Sequence, residues 1–294
     1  MTATNPPDDY ESLIQLIHDR YDEMSRTYQQ IALYLTQNPN DVAVRSVNSI
    51  GQRCSIHASS FVRFAQSLGY KGFKELQTKF EKRLMTAAPG FEARVHALEE
   101  ELQARDDLSE AGFLRGLVVN DAASVQSLVD DIAPEDLATT AGIISEAETV
   151  FLLGQLRSAP VVEVIRYMLT MLGKKCILLD PSGGLATHMA RTIGPNDALL
   201  AVSFRFYASE VVSIVEQAAD RGTSIIAISD STLSPLAKSA AVLFAVPEYP
   251  GPFSRSLSLA APVCLAHIIV MSVAARVQNN PGRPEIPSVT RPQT

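Results

Sequence analysis

Residues 45–70 read RSVNSIGQRCSIHASSFVRFAQSLGY, and this stretch predicts two short helices around a tight turn. In the first helix Val47 and Ile50 share an apolar face, and the turn follows near residues 54–57. The second helix, about residues 58–68, places three apolar side chains on one face: Phe61, Phe64 and Leu68. Its other faces are polar. This arrangement is typical of a helix-turn-helix, whose second helix enters the major groove of DNA.

The charge near this stretch is opposite in sign to the charge of the whole chain. The 294 residues include 25 Lys and Arg against 32 Asp and Glu, and the net charge of −7 argues against binding nucleic acid by bulk positive charge. Between residues 45 and 83, however, the only acids are Glu75 and Glu81, and they stand among many lysines and arginines. A solvated helical face would explain such a run, but its overlap with the helix-turn-helix pattern favours phosphate contacts.

Six side chains are candidates for contact with DNA. Four lie in the second helix and could read bases or phosphates: Ser59, Ser60, Arg63 and Gln66. Lys71 and Lys74 follow that helix and would contact the phosphate backbone. The alternative for Arg63 is packing against its own domain, beside Phe64.

The bulk composition predicts a cytoplasmic protein with a hydrophobic core. The chain is 46% hydrophobic and 19% charged, as in ordinary globular proteins. Its three cysteines, Cys54, Cys176 and Cys264, lack the spacing of a metal site, so we expect free thiols in a reducing compartment. The N-terminus has no signal segment, and no uninterrupted apolar run reaches the ~18–20 residues of a membrane span. We therefore expect no membrane association.

Four segments can be distinguished along the chain. Residues 1–85 form the predicted helical domain, and 86–107 form a linker with a charged connector helix at about 92–105. Residues 108–278 contain five short aliphatic runs, at 150–153, 176–179, 198–202, 224–228 and 242–246. Helical stretches alternate with these runs, at 161–172, 184–193, 209–221 and 234–239. The final segment, 279–294, is rich in proline and is expected to be a flexible tail.

These patterns define the predicted fold class. An all-α helix-turn-helix domain precedes an α/β domain, because near-continuous apolar strands that alternate with helices indicate a parallel sheet covered on both faces. We predict a doubly wound, five-stranded parallel sheet, closed by a long apolar helix at about residues 256–277.

A ligand crevice is expected where the strands of this sheet end. Polar and small residues follow the first and third strands and could bind an anion: Gly154, Arg157, Ser158, Ser203, Arg205, Ser209 and Glu210. The guanidinium of Arg205 suits a phosphate or carboxylate, although a surface ion pair with Glu210 or Glu163 is the alternative. His188 and His267 belong to no catalytic motif, and no metal or cofactor motif occurs. We expect no catalytic residue, metal or cofactor.

The two halves resemble a known pairing of domains. Residues 1–85 resemble the helix-turn-helix domain of the RpiR family of bacterial transcriptional regulators. The matching residues are Ser46-Val47-x-x-Ile50 and Val62-Arg63-Phe64-x-x-x-Leu68-Gly69-Tyr70-Lys71-Gly72-Phe73. Residues from about 108 to 277 resemble the SIS (sugar isomerase) domain of that family. The resemblance implies a cytoplasmic DNA-binding regulator, a homodimer or homotetramer, whose SIS domain senses a sugar phosphate or related anionic metabolite.

The chain departs from the family pattern in both ligand loops. The family's Gly-x-Gly-x-Ser falls on residues 154–158, where Gly154 and Ser158 match and Leu156 replaces a glycine. The family's Ser-x-Ser-Gly-x-Thr-x-Glu falls on residues 203–210, where Ser203 and Glu210 match. The replacements in that second loop are Arg205, Phe206 and Ala208. We expect that Arg205 binds the anion in place of the lost hydroxyls, or that the ligand is another acid, such as a sugar acid.

One further departure concerns the start of the recognition helix. His57 stands where the family usually has a small hydroxyl residue, so we expect Ser55 to cap that helix instead.

Three classes of function remain at this point. In a regulator, two helix-turn-helix units would read the half-sites of a palindromic operator, about 34–36 Å or a multiple apart, and ligand binding would change their spacing. The alternative is an SIS-type sugar-phosphate isomerase with an accessory N-terminal domain, whose acid–base candidates are Glu210, His188 and Glu163. A DNA-binding architectural protein would leave the α/β domain unexplained.

Overall fold

The computed structural model describes residues 6–85, 109–204, 207–246 and 258–278. The expected connector helix at 92–105, the tail at 279–294, and Arg205 and Phe206 lie outside the described residues.

The N-terminal domain is helical, as predicted. Its helices are α1 (Tyr10–Arg20), α2 (Arg26–Gln37), α3 (Pro39–Val44), α4 (Val47–Cys54), α5 (Ala58–Ser67) and α6 (Phe73–Met85). Side chains of Asp9, Ser25 and Ser46 accept hydrogen bonds from backbone N–H groups in the first turns of α1, α2 and α4. These caps satisfy donors that a helix start otherwise leaves free, and they fix where the helices begin.

Pro39 separates α2 from α3 and is the first residue of α3. The sequence predicts the break at residues 38–40, but α3 itself was not predicted. Pro39 is the first residue of α3, where its missing N–H costs no helical hydrogen bond. The chain therefore turns and continues as a short helix.

Aromatic side chains dominate the core of this domain. Three pairs meet edge to face, with ring centroids 5.1 Å apart for Tyr10 and Phe80, 5.4 Å for Tyr28 and Phe64, and 5.7 Å for Phe61 and Phe73. Such pairs add about 0.5–1.5 kcal/mol each to the stabilisation that burial provides. Residues of α1, α2, α5 and α6 thus share one core.

The second domain contains a five-stranded parallel sheet, which confirms the predicted fold class. Its strands are β1 (Val150–Gly154), β2 (Cys176–Leu178), β3 (Ala198–Val202), β4 (Ser224–Ser229) and β5 (Val242–Ala245). Their order is β2-β1-β3-β4-β5, and all neighbouring pairs are parallel. Every residue of β1 and β3 is buried, because helices cover both faces.

Helices cover the two faces of the sheet. In chain order they are α7 (Glu110–Asp131), α8 (Pro134–Glu146), α9 (Ala159–Met171), α10 (Ala186–Met189), α11 (Ser209–Asp220) and α12 (Ala260–Gln278). Side chains of α8, α9 and α12 share a core with one face of β1 and β3. Side chains of α10 and α11 pack on the other face.

In the C-terminal domain, two predicted helices are wrong and one helix was missed. Residues 184–193 form only the four-residue α10 between 3-10 turns, because Gly183 and Gly184 adopt positive φ values of 71° and 70°. Residues 234–239 form a series of turns with hydrogen bonds from Ala237 N–H to the Ser234 carbonyl and from Ser239 N–H to Leu236. Helix α8 was not predicted.

Helix α12 is long and apolar enough, by length and composition alone, to cross a membrane. No helix long and apolar enough to cross a membrane was expected from the sequence. Its contacts are those of a core helix, because it packs against α7, α8 and α9. Apolar side chains buried there include Leu265, Ile269 and Val273.

Candidate DNA-binding surface and ligand crevice

A close approach between backbones sets the angle between α4 and α5. The N–H of Ile56 donates to the carbonyl of Gly51 at 2.9 Å, which folds the chain back onto α4. A Cβ on Gly51 would lie 2.6 Å from the carbonyl oxygen of Ile56 and 3.4 Å from the nitrogen of Ala58. Only glycine fits this position, so Gly51 is a structural residue of the helix-turn-helix that the sequence analysis missed.

The expectation that Ser55 caps the recognition helix is wrong. Ser55 has a left-handed φ of 55° and ends α4, and its N–H donates to carbonyls of that helix. His57 occupies the N-cap position of α5 without making a side-chain capping bond. The turn places a left-handed residue, Ser55, two positions before the N-cap residue of α5. Ser55 therefore cannot cap that helix.

Helix α5 separates apolar and polar side chains onto different faces. Phe61, Phe64 and Ala65 are fully buried, and these side chains hold the helix on the domain. All the predicted DNA contacts on α5 reach solvent: Ser59, Arg63 and Gln66 are exposed and Ser60 is half-buried. Because Arg63 is exposed, the alternative that it packs into the domain beside Phe64 does not hold.

Two lysines follow the recognition helix. Lys71 and Lys74 lie near the start of α6, and both residues are exposed. The backbone N–H of Lys71 donates to Glu75 Oε2 at 2.6 Å, which leaves its ammonium outside this contact. Lys74 Nζ forms an ion pair with Glu81 Oε1 at 2.6 Å, so a phosphate at Lys74 must compete with that carboxylate.

The C-terminal domain has its crevice at the point where the strand order reverses. The chain runs from β1 to β2 on one side and then crosses to β3 on the other side of β1, so the carboxyl ends of β1 and β3 are adjacent. Gly154 pairs in register with Val202, and the predicted ligand loops leave the sheet there. Ligands of doubly wound sheets bind at such points. The first loop spans residues 155–158 and the second spans residues 203–208.

Gly154 and Leu156 shape the first loop. A Cβ on Gly154 would lie 2.9 Å from Val162 Cγ1 and 3.0 Å from the carbonyl oxygen of Ser158, so glycine allows α9 to approach β1. Leu156 has a positive φ of 54°, a conformation that suits glycine and costs about 1–2 kcal/mol in other residues. Its side chain is 48% exposed. The left-handed backbone is therefore present where the related family has glycine, but with an apolar side chain on it.

Arg157 and two serines lie at the base of the crevice. The guanidinium carbon of Arg157 lies 5.0 Å from the ring centroid of Phe204, so a cation–π contact joins the two loops. Ser158 and Ser203 are buried, and Ser229 Oγ at the end of β4 donates to the Ser203 carbonyl at 2.7 Å. Arg205 lies between described residues, so its role stays a prediction.

Glu210 links three segments around the crevice. Gln155 Nε2 donates to Glu210 Oε2 at 2.7 Å, and Thr187 Oγ1 donates to Glu210 Oε1 at 2.6 Å. Ser209, the first residue of α11, is half-buried beside it. The sequence analysis did not identify Gln155 or Thr187, because these partners are distant in sequence and belong to no motif. Through these two bonds, Glu210 holds the segments of Gln155 and Thr187 against the start of α11.

Tyr207 anchors the second loop from inside the domain. Its side chain is buried, and its hydroxyl donates to Asp230 Oδ1 at 2.8 Å. Burial and the nearby carboxylate of Asp230 raise the pKa of Tyr207 well above its usual value. The tyrosine therefore stays protonated and keeps its hydrogen bond across the physiological pH range.

In the described part of the chain, neither histidine of the crevice domain forms a hydrogen bond with Glu210. His188 and His267 are exposed, and Glu163 forms an ion pair with Arg166 at 2.7 Å. In the part of the chain that the structure describes, no group of His, Cys, Asp and Glu has an arrangement that could hold a metal ion.

Comparisons with known proteins match both domains. The helix-turn-helix domain of the rpiR family matches residues 11–87, and the SIS domain matches residues 143–269. Escherichia coli YfhH, described as an uncharacterized HTH-type transcriptional regulator, is 25% identical over 244 residues, covering 82% of this chain and 84% of YfhH. The HTH-type transcriptional regulator HexR of Pseudomonas aeruginosa is 22% identical over 242 residues, covering 81% of this chain and 79% of HexR.

A solved structure matches across both domains. The NanR protein of Vibrio vulnificus, complexed with ManNAc-6P, has a TM-score of 0.53 and 19% sequence identity. The match covers 90% of this chain and 92% of NanR. The likeness supports the order of a helical domain followed by a parallel α/β domain.

Proposed function

The chain belongs to the RpiR family of DNA-binding transcriptional regulators, in which an SIS domain follows the helix-turn-helix domain, and from this premise we propose how its two sites act. The exposed face of α5 reads a palindromic operator in duplex DNA. The crevice at β1 and β3 binds an anionic sugar derivative, a sugar phosphate or a sugar acid, as the effector. The protein acts in the cytoplasm as a homodimer or homotetramer, without a cofactor.

The observation that supports DNA reading is the separation of faces on α5. Phe61 and Phe64 attach one side of the helix to the core, and Ser59, Arg63 and Gln66 project from the other. A helix that reads bases needs short polar and forked cationic side chains free to reach the groove.

The operator contact can be tested with Arg63→Ala. A duplex is first selected from a random pool by the full-length chain, and its affinity is then measured by fluorescence anisotropy over a range of salt concentrations. Loss of a base contact should weaken binding by about 1–3 kcal/mol. Arg166→Ala removes an exposed arginine from α9, far from the proposed interface, and is the matched control. Equal affinity of the Arg63 variant and the control would remove Arg63 from the proposed contacts.

The effector proposal is supported by the position of the crevice at the strand reversal and by its donors. Arg157 and Ser158 follow β1, Ser203 follows β3, and the sequence places the cation Arg205 in the second loop. NanR was solved with ManNAc-6P, a phosphorylated sugar, which makes this chemical class the first to screen.

A thermal-shift screen of sugar phosphates and sugar acids tests the effector. A compound that binds the native state raises the Tm, by linkage between binding and unfolding. Arg205→Ala should remove that shift while leaving operator affinity within about twofold, because the residue lies in the other domain. A full shift in this variant would contradict the anion-binding role of Arg205.

We also propose that the crevice binds without catalysing a reaction. Both carboxylate oxygens of Glu210 accept hydrogen bonds from Gln155 and Thr187, so this group has a structural use. Measurable interconversion of aldose and ketose phosphates by the purified chain, abolished by Glu210→Gln, would instead support an isomerase.

A further inference from the structure

Arg83 at the end of α6 joins the two domains of the chain. Its side chain is only 4% exposed, although arginine is among the residues that are rarely buried. Nη1 donates to Asn40 Oδ1 at 3.1 Å, and the guanidinium lies over the ring of Tyr10, 4.9 Å from its centroid. Nη2 donates across the domain boundary to the backbone carbonyl of Tyr207.

The acceptor of this bond belongs to the second ligand loop. Tyr207 follows the residues that leave β3 at the crevice, and its hydroxyl is fixed by Asp230 at the end of β4. The phenol is thus held inside the C-terminal domain, and the carbonyl of the same residue faces Arg83. A shift of the backbone at Tyr207 moves this acceptor.

A second contact lies beside the first. Lys238 Nζ donates to Asn38 Oδ1 at 2.6 Å and forms an ion pair with Glu216 Oε1 at 2.7 Å. Asn38 and Asn40 flank Pro39 at the start of α3, so Arg83 and Lys238 reach the same short segment. The start of α3 therefore contacts Arg83 of its own domain and Lys238 of the C-terminal domain.

Helix α3 connects this boundary to the helix-turn-helix. Gln77 Nε2 donates to the carbonyls of Val42 and Arg45, at 2.8 and 2.7 Å, and so ties the end of α3 to α6. The cap of α4, Ser46, follows directly. Packed helices and these bonds therefore connect the boundary to α4 and α5.

The surroundings of Arg83 make the contact sensitive to loop position. In the described part of the chain its hydrogen-bond acceptors are neutral, an amide oxygen and a carbonyl, and its Nε has no hydrogen-bond partner. A buried guanidinium that loses an acceptor is left unsatisfied, which is costly. The docked arrangement of the domains therefore depends on the Tyr207 carbonyl.

We propose that Arg83 is the positioning residue that couples the ligand crevice to the DNA-reading helix. Its bond to the Tyr207 carbonyl links the conformation of the second loop to the docking of the N-terminal domain. The part of this inference that concerns effector control rests on the proposed function. Ligand that moves the loop changes domain docking, and DNA that repositions the N-terminal domain changes the loop in return, as linkage requires.

The contact is tested first without ligand or DNA. Hydrogen exchange is measured on the free full-length protein as wild type, Arg83→Gln and Lys79→Gln. Lys79 is a matched control, because it lies on the same helix and donates to the Asp8 carbonyl within its own domain. Peptides covering residues 207–212 should exchange at least about fivefold faster in Arg83→Gln and at the wild-type rate in Lys79→Gln. Wild-type exchange in Arg83→Gln would overturn the proposal.

A second variant distinguishes a loss of domain docking from local unfolding around Tyr10. Lys238→Met leaves the N-terminal domain unchanged and removes the neighbouring boundary contact to Asn38, together with the ion pair to Glu216 inside the C-terminal domain. It should also raise exchange at residues 207–212, by about twofold or more, while exchange in α5 stays at the wild-type rate. If Arg83→Gln loosens α5 as well and Lys238→Met has no effect on the loop, domain docking does not control the loop and the inference fails.

The coupling is tested with the duplex selected by the wild-type chain. Saturating DNA should change loop exchange in the wild type by at least about fivefold, and in Arg83→Gln by less than about half that factor. Equal responses would show that the coupling runs elsewhere. If the wild type selects no DNA sequence, the proposed DNA-binding function fails. Hydrogen exchange in the free variants still decides whether Arg83 holds the loop.

Discussion

Replacing Gly51 with alanine tests whether the close approach of backbones in the helix-turn-helix is essential. The added Cβ would lie 2.6 Å from the carbonyl oxygen of Ile56, a backbone atom that cannot move aside alone. Overpacking of this kind costs about 1–3 kcal/mol. Alanine in place of a helical glycine returns about 0.5–1 kcal/mol. The midpoints of these two ranges leave a net loss of about 1 kcal/mol, and we therefore expect a Tm lower by roughly 4–8 °C for a domain of this size.

Differential scanning calorimetry of the full-length chain measures the change in Tm, and hydrogen exchange in α4 and α5 assigns it to the helix-turn-helix. Gly142→Ala is the matched control, because Gly142 is also helical but its nearest neighbour is the flexible end of Arg276, at 3.6 Å. That change should stabilise the protein by about 0.5–1 kcal/mol. An unchanged or raised Tm in Gly51→Ala would refute the reasoning, since a tolerated methyl means that the turn relaxes freely.

Three further substitutions and one chemical measurement test other parts of the structure. Gln77→Leu removes the donor to two backbone carbonyls at the end of α3 and should lower the unfolding free energy by about 1–3 kcal/mol in urea melts. Gly154→Ala places a methyl 2.9 Å from Val162 Cγ1, so the first loop should shift and the effector-induced rise in Tm should fall; a full rise would contradict this. Glu210→Gln replaces one acceptor oxygen by a donor that faces another donor, and we expect a loss of about 1–3 kcal/mol in the same urea melts. Burial raises the pKa of Cys176 to about 11, so at pH 8 iodoacetamide should alkylate it far more slowly than free cysteine, with a rate that climbs as pH approaches that value; equal rates would be inconsistent with the buried thiol.

Local sequence signals predicted much of the fold. Helical periodicity in the sequence predicts helices at residues 10–20 and 26–37, which are the observed bounds of α1 and α2, because side-chain caps and the break at Pro39 are encoded within a few residues. The strands were found for a similar reason. A strand covered on both faces must be apolar throughout, as in β1 and β3, and such runs stand out in any sequence.

The errors arose where the geometry of a turn overrides the preference of a residue type. Ser55 is a good N-cap residue by type, but the approach of the turn to Gly51 places it in the left-handed region at the end of α4. Residues 234–239 have helical composition, yet they form turns with bonds three residues apart. Neither outcome follows from residue type alone.

The ligand crevice was predicted in position but not in its internal bonds. The strand reversal and the residue types after β1 and β3 identified the edge of the sheet. The partners of Glu210, however, lie 55 and 23 residues away, and the burial of Arg83 depends on a carbonyl 124 residues away. The basic run at residues 45–83, taken as a whole, favoured phosphate contacts, whereas Arg83 at its end faces the other domain.

The position of α12 last among the described elements has a consequence for synthesis on the ribosome. The aromatic core of the N-terminal domain is complete once Phe80 has emerged, whereas the core that α8 and α9 share with one face of the sheet is incomplete until α12 supplies Leu265, Ile269 and Val273. Nascent chains of intermediate length thus carry a folded N-terminal domain and a partly covered sheet. The demand for chaperones during translation falls on the second domain, and a chain that stops before residue 260 should be cleared by proteases.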